Sequence, residues 1–548
     1  MISILFSNIQ LIFLALFLSI STVIFSQTTT ADIFYDNLIE EYDLAGLSVA
    51  VIKDGKVALH HHGVTSMDTK DSIRQHTVFG AASLSKPVFA YAVLKLIAQG
   101  KIDLDRSLYQ YLENEDLKGD DRYQQITARM ILSHSSGLPN WRNGKLKLMH
   151  APGSQFQYSG EGYMYLAKVV EHLLQKPINE VMQELVFTPL DMKNSSFVWE
   201  DRFATNFASP HDYTNSPKPN WRPEKPVIAS SLQTTAEDYA KFILAILNLE
   251  QDIQDEIRTV YSKISDVLFW GLGWGIQKSA KGEYLWQWGD NGTFKSFAMI
   301  YPDIKEGMVF FANSYKGLRI LPKVVGYLFE DTIPSFHTLE RTLLVRADEK
   351  LMLSILKNGY ENGIKDFIVS NDTEIDTVMI TERQLAFVSM QLKWRKRYSE
   401  EKRLLKIIAH TFPTSFNAQK NYATHCVRHG DNQEGIQYYK KALKIAPGNE
   451  AIPNTLHLLT SKELSGNVTF VFTDYLWGSS VSVSGSFNDW SYSSIPLLKK
   501  NGVWTTTIQL PTGEYAYQFI VDGYPMLDPN NRETVVENGQ VYSLLKVP

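Results

Sequence analysis

The hydrophobic periodicity of this chain changes character twice along its 548 residues, so one core cannot account for all of it. From about residue 31 to 335, strand and helix signals are mixed. Leu47–Val51 and Val57–Leu59 flank Asp54–Gly55, which predicts a short-turn hairpin. Phe89, Val93, Leu96 and Ile97 fall at helical spacing, and Gly100 stops that helix. Phe297–Tyr301 and Met308–Ala312 read as strands near the far end. Strands at both ends with helices between predict an α+β domain over 27–335, its sheet assembled from distant segments.

Residues 336–462 are rich in Leu, Lys, Glu and Arg and poor in Gly. Pro413 and Pro447 each close a helical pair, and they lie 34 residues apart. Aligned on them, Ser389 matches Ala423, Leu392 matches Cys426, Leu405 matches Tyr439 and Ile408 matches Ala442. Small residues at one place and large apolar ones elsewhere suit packed antiparallel helices. The period resembles the tetratricopeptide repeat, a surface for a protein partner; the alternative is an ordinary helical linker bundle. Residues 466–548 turn to β signals. Trp504, Thr506, Ile508 and Leu510 alternate with polar neighbours, as do Tyr515, Tyr517, Phe519 and Val521, which predicts an antiparallel sandwich.

Hydrophobic residues at 44% and charged residues at 21% exclude a largely disordered chain. A net charge of −5 leaves no electrostatic footprint for nucleic acid. The single cysteine, Cys426, excludes a disulfide framework and a cysteine-rich zinc site. Met1 to Ser26 are nearly all apolar, with no charged side chain before Asp32, and read as a secretory signal peptide (residues 1–26). Export to the periplasm or the extracellular space is the expectation; the alternative is an uncleaved membrane anchor.

Chemistry concentrates in Phe79–Pro87. Ser83 and Lys86, three apart on a helix, share one face, and a serine hydroxyl becomes nucleophilic only beside a base. An amine serves if burial depresses its pKa. Ser354–Lys357 and Ser399–Lys402 repeat the spacing, but only the first pair is followed by a proline, Pro87. Proline fits the first turn of a helix, which puts Ser83 at a helix N-terminus, where free N–H groups suit an oxyanion. His60–His61–His62 sits on a strand, where alternate residues face opposite sides, so three in a row cannot converge. No metal and no cofactor are expected.

Here the sequence resembles the class C β-lactamase-like serine hydrolases, which include β-lactamases, D-alanine carboxypeptidases, D-aminopeptidases and esterases. The likeness rests on Phe79–Gly80 before Ser83–Lys86, Gly100–Asp105, Tyr111–Leu112, Ile131–Leu138, Pro152–Gly153, Phe156–Gly160 and Gly271–Trp274. It implies a β-lactamase/transpeptidase-like fold, an antiparallel sheet plus a helical region. It also implies acyl-enzyme formation on Ser83, with Lys86 and Tyr158 as general base and acid. The family's Tyr-x-Asn is here Tyr158–Ser159–Gly160, so Gly160 replaces the amide-binding asparagine. The Lys-Thr-Gly segment aligns with Gln287–Trp288–Gly289, and Gln287 replaces the cation. These three are expected to line the substrate, with Gly289 allowing close backbone approach to it. The resemblance assigns the oxyanion hole to the backbone N–H groups of Ser83 and Asp290, and gives His134 a structural place. Lys295 is a candidate for the missing charge. The expected substrate is an ester, a D-amino-acid amide or a β-lactam, small or peptidic; the alternative is an inactive fold that binds a peptide or glycan.

Val483–Trp490, Tyr517–Gly523 and Asp528–Pro529 resemble the glycogen-binding module of AMP-activated protein kinase β subunits, an immunoglobulin-like β-sandwich. The likeness makes Trp490, Gln518 and Tyr524 candidates for contact with an α-glucan or other glycan; the alternative is an architectural sandwich.

Overall fold

Side-chain alternation along antiparallel strands decides the layers of the first unit. The computed structural model describes residues 29–142, 144–333, 346–365, 367, 380–449, 451–460, 466–473, 480–488, 490, 495–500, 503–537 and 540–548. The expected signal segment, 1–26, lies outside the described residues. The chain divides into two units, Met1–Leu344 and Val345–Pro548.

In the first unit, helix α1 (Thr30–Tyr42) precedes the hairpin β1 (Gly46–Lys53) and β2 (Lys56–Gly63). Asp54 and Gly55 both take positive φ, as a tight hairpin turn demands. A short strand β3 (Phe79–Gly80) leads to α2 (Ser85–Ala98), followed by α3 (Gly160–Leu174), β4 (Gln233–Thr234) and α4 (Ala236–Leu247). Six further strands follow: β5 (Ser262–Lys263), β6 (Leu268–Trp270), β7 (Gly275–Lys278), β8 (Glu283–Asp290), β9 (Lys295–Tyr301) and β10 (Glu306–Ala312); α5 spans Leu321–Phe329.

The sheet runs β2-β1-β10-β9-β8-β7-β6-β5, so the hairpin from the chain's start pairs with its last strand. One face carries Ala50, Ile52, Leu285, Ala298, Ile300 and Phe311 against α2, α3 and α4. The other carries Leu47, Val49, Trp286, Phe297, Met299 and Phe310 against α1 and α5. Helix α2 is buried around most of its girth from Ser85 to Val93, as befits a helix apolar on all sides.

His60 and His62 share one face of the edge strand β2, and α1 brings Asp32 to within 3.6 Å of a ring nitrogen of each. Three consecutive residues cannot converge, but two alternate ones can when a neighbouring helix supplies the third.

In the second unit, α6 (Ala347–Asn358) precedes two helical pairs: α7 (Glu382–Trp394) with α8 (Tyr398–Thr411), and α9 (Phe416–Arg428) with α10 (Asn432–Ile445). Glu382 recurs as Phe416, Trp394 as Arg428, Tyr398 as Asn432 and Thr411 as Ile445, a constant offset of 34 residues. All eight residues matched across the repeat are buried. The C-terminal module has two antiparallel sheets. One runs β11 (Val468–Phe472), β14 (Val503–Ile508), β13 (Leu498–Lys500); the other runs β12 (Val481–Gly485), β15 (Gly513–Val521), β18 (Gln540–Val547), β17 (Thr534–Glu537), with β16 (Tyr524–Met526) also paired to β15. Phe470, Phe472, Val483, Trp504, Tyr517 and Phe519 fill its core.

Candidate active site

The turn before α2 is held from three directions. Gly80 pairs with Gln233 across β3 and β4. The Ala81 N–H donates to the Leu232 carbonyl at 2.8 Å, and the Ser296 hydroxyl donates to the Ala81 carbonyl at 3.0 Å. Ala82 takes φ of 48°, a left-handed conformation rare for a residue with a Cβ and found where surrounding structure over-determines the backbone. A 3-10 turn, Ala82–Leu84, then runs into α2 and presents Ser83. The other serine, Ser85, is buried; it donates to the Ala82 carbonyl at 2.6 Å and accepts from the Leu232 N–H at 3.0 Å.

Lys86 is 1% exposed. Its Nζ lies 3.2 Å from Ser83 Oγ and donates to the Ala229 carbonyl at 2.9 Å. Desolvation disfavours the ammonium and pulls its pKa down to about 7. The same amine sits 4.7 Å from the centre of the Tyr158 ring. Burial pushes the Tyr158 phenol up to about 12, against smaller opposing effects of hydrogen bonds from Ser83 and Gln287, so it stays protonated at neutral pH. Gln287 is fully buried; its Nε2 donates to Tyr158 Oη at 2.8 Å and to the Ser83 carbonyl at 3.2 Å.

His134 backs the tyrosine. Its ring centre is 4.2 Å from that of Tyr158, and its Nδ1 accepts the Ser159 N–H at 3.0 Å, which puts the ring proton on Nε2. Burial holds it neutral, well below the usual histidine range. Ser159 caps α3 by accepting from the Gly162 N–H at 2.8 Å. One short segment thus fixes Tyr158 and starts the helix behind it.

Ser83, Lys86, Tyr158 and Gln287 come together; the other candidates divide. At Gly289 the strand passes against the turn that carries Ser83. A Cβ there would lie 2.3 Å from the Ala81 carbonyl oxygen and 2.2 Å from Ser296 Oγ, so the glycine lets β8 close on the nucleophile turn. Trp288 projects from the opposite face of β8 to Gln287, and packs with Trp286 in the second core. Strand alternation therefore removes it from the serine. Gly160 is buried at the start of α3, and a Cβ there would meet the Asn140 carbonyl at 2.6 Å and the Trp141 ring at 3.1 Å. The space an asparagine would enter is taken by Trp141, itself 48% exposed. Sequence reasoning missed this tryptophan, although it follows Leu138 by only three residues. Trp141 also lines a cavity of about 230 Å3 with Arg142, Glu161 and Val227. Asp290 ends β8 beside the nucleophile turn, and its carboxylate takes the buried Lys295 ammonium. Lys295 is therefore already paired.

In the C-terminal module, Trp490 has φ of 57° and its ring lies 4.2 Å from that of Tyr542 on β18. Tyr524 is 75% exposed, whereas Gln518 is 5% exposed on β15. Burial withdraws Gln518 from any surface ligand, which corrects its assignment. Trp490 bonds through its N–H to Gly485, opposite Tyr517, while Tyr524 lies opposite Val521. Four residues of strand separate those points, about 13 Å.

Residues 32–323 match the family described as beta-lactamase, and residues 468–548 match the glycogen recognition site of AMP-activated protein kinase. Among curated relatives, protein flp of Staphylococcus aureus (strain MW2) is 22% identical over 331 residues, covering 54% of this chain and 65% of its own length. The chain thus spans just under two thirds of that relative. A beta-lactamase of Pseudomonas fluorescens is 26% identical over 256 residues, covering 43% of this chain and 71% of its own. Among solved structures, a class C beta-lactamase aligns at a TM-score of 0.47 with 20% identity, covering 52% of this chain and 91% of its own. A beta-lactamase/D-alanine carboxypeptidase from Pseudomonas syringae aligns at 0.47 with 19% identity, covering 52% and 92%. Since the family match takes in more than half of its residues, this chain belongs to the beta-lactamase family.

Proposed function

We propose that the first unit is a serine hydrolase that forms an acyl-enzyme on Ser83. The observation that supports this most directly is a buried amine of depressed pKa, 3.2 Å from the Ser83 hydroxyl. With the amine neutral, the hydroxyl donates to its lone pair. Lys86 takes the proton as Ser83 Oγ bonds to the acyl carbon, and the carbonyl oxygen becomes an oxyanion facing the Ser83 and Asp290 N–H groups. Tyr158, a protonated phenol, gives its proton to the leaving oxygen or nitrogen and recovers one from Lys86. Water then attacks the acyl carbon and gives a proton to Lys86 or Tyr158, and the bond from the acyl carbon to Ser83 Oγ breaks as a proton from that pair returns to the serine oxygen.

The substrate we propose is an ester whose acyl part carries no charge. Gln287 is neutral, Lys295 is paired with Asp290, and Arg142 is paired with Glu161 and Asp116, so the polar groups around the site do not call for a carboxylate. Trp141 over Gly160 offers an apolar face where an amide-binding side chain would sit. For the C-terminal module we propose α-glucan binding through the exposed Tyr524 and the half-buried Trp490, since an aromatic ring can stack on the apolar face of a sugar.

Three outcomes test these readings. A fluorophosphonate probe labels the wild type and not Ser83→Ala, and the variant loses turnover of short-chain p-nitrophenyl esters by up to about a million-fold; an unlabelled wild type refutes the hydrolase. Because Lys86 must be deprotonated to act, kcat/KM rises with pH to a plateau above about 7, and at two pH units lower it is about 100-fold smaller. A flat profile from pH 5 to 8 contradicts Lys86 as base. Retention on amylose resin is lost in Trp490→Ala; retention equal to wild type refutes the stacking assignment.

A further inference from the structure

We propose that Asp32, His60 and His62 bind a zinc-like divalent cation that ties α1 to the edge strand β2. His60 Nδ1 and His62 Nε2 each lie 3.6 Å from Asp32 Oδ1, and the three ligand atoms all fall within 4.8 Å of one another. Tetrahedral zinc with bonds of about 2.0–2.1 Å needs ligand atoms about 3.3–3.4 Å apart, so two of the three edges are already near that length. Two imidazoles, one carboxylate and an open fourth position form a ligand set suited to zinc.

Each ligand is held with its donor atom turned inward. The His62 Nδ1–H donates to Asp36 Oδ1 at 2.8 Å, one helical turn beyond Asp32, which leaves the Nε2 lone pair facing the cluster. His62 is 8% exposed, and its Nε2 has no hydrogen-bond partner among the described residues. A buried ring nitrogen without a partner costs stability, and a cation beside it supplies the missing interaction. Asp32 Oδ2 is held by the Thr29 N–H at 3.0 Å and the Thr29 hydroxyl at 2.7 Å, so Oδ1 is the oxygen left towards the histidines. His61 projects from the other face of β2 and meets Ser48 Oγ at 3.0 Å, outside the set.

The same contacts without a metal would be a protonated His62 bridging Asp32 and Asp36, and the test separates the two. Full-length protein treated with EDTA and desalted is titrated with Co(II). The visible absorption of four-coordinate cobalt is expected to saturate near one equivalent and to disappear on adding Zn(II). His62→Ala and Asp32→Asn abolish it, and Asp36→Asn weakens binding by about 10- to 100-fold because the ring loses its outer partner. His61→Ala leaves it intact, and so does His425→Ala in the separate Glu401–His425–His429 group. Zn(II) raises the melting temperature of the wild type and not of His62→Ala. No cobalt absorption in the wild type overturns the proposal, as does absorption that survives both His62→Ala and Asp36→Asn.

Discussion

An amine buried without a carboxylate partner among the described residues is the constraint on which the site depends. Helix α2 is enclosed by the first core, so the Lys86 side chain is buried, and its hydrogen bonds among the described residues go to the Ser83 hydroxyl and the Ala229 carbonyl. A carboxylate beside it would keep the ammonium charged and useless as a base. Without one, the fold tolerates a group whose pKa lies below its unfolded value. The penalty is complete below about pH 7 and fades as pH rises towards the usual lysine range, where the unfolded chain loses its proton too. Stability is given up at neutral pH in exchange for a usable lone pair.

The remaining parts serve to hold the serine where that lone pair is. Ala81, Ala82 and Ser85 are tied to Leu232 and Ser296, and Gly289 lets β8 come close enough for Gln287 to reach both the Ser83 carbonyl and Tyr158. Gln287 therefore acts on the proposed mechanism through Tyr158. A lysine at that position would place a second cation beside the amine and depress its pKa further. The neutral amide and the neutral amine are consistent with each other electrostatically.

Local structure follows local sequence patterns. The Asp54–Gly55 hairpin, the helix through Phe89–Ile97 and the two helical pairs offset by 34 residues all follow from periodicity and turn chemistry, which act between near neighbours. Ser83 and Lys86 are legible from their spacing on one helix face, and Tyr158 only through the family resemblance. What the sequence did not disclose depends on approaches between distant segments. Gly289 lets β8 close on Ala81, Trp141 fills the space over Gly160, and Gln518 is buried. Trp288 was misassigned for a simpler reason, since strand alternation already puts it on the face opposite Gln287. The histidine tract was read along its own strand, and the carboxylate that completes the cluster comes from a helix 28 residues before His60, at Asp32.

The proposed hydrolase requires Lys86 to be uncharged at its working pH. Selective 13C labelling of lysine Cε, with Lys86→Arg to assign its signal, lets NMR follow that amine through a pH titration. A midpoint near 7 is the predicted result. A Lys86 signal that stays in the ammonium form to above pH 9 would contradict the account.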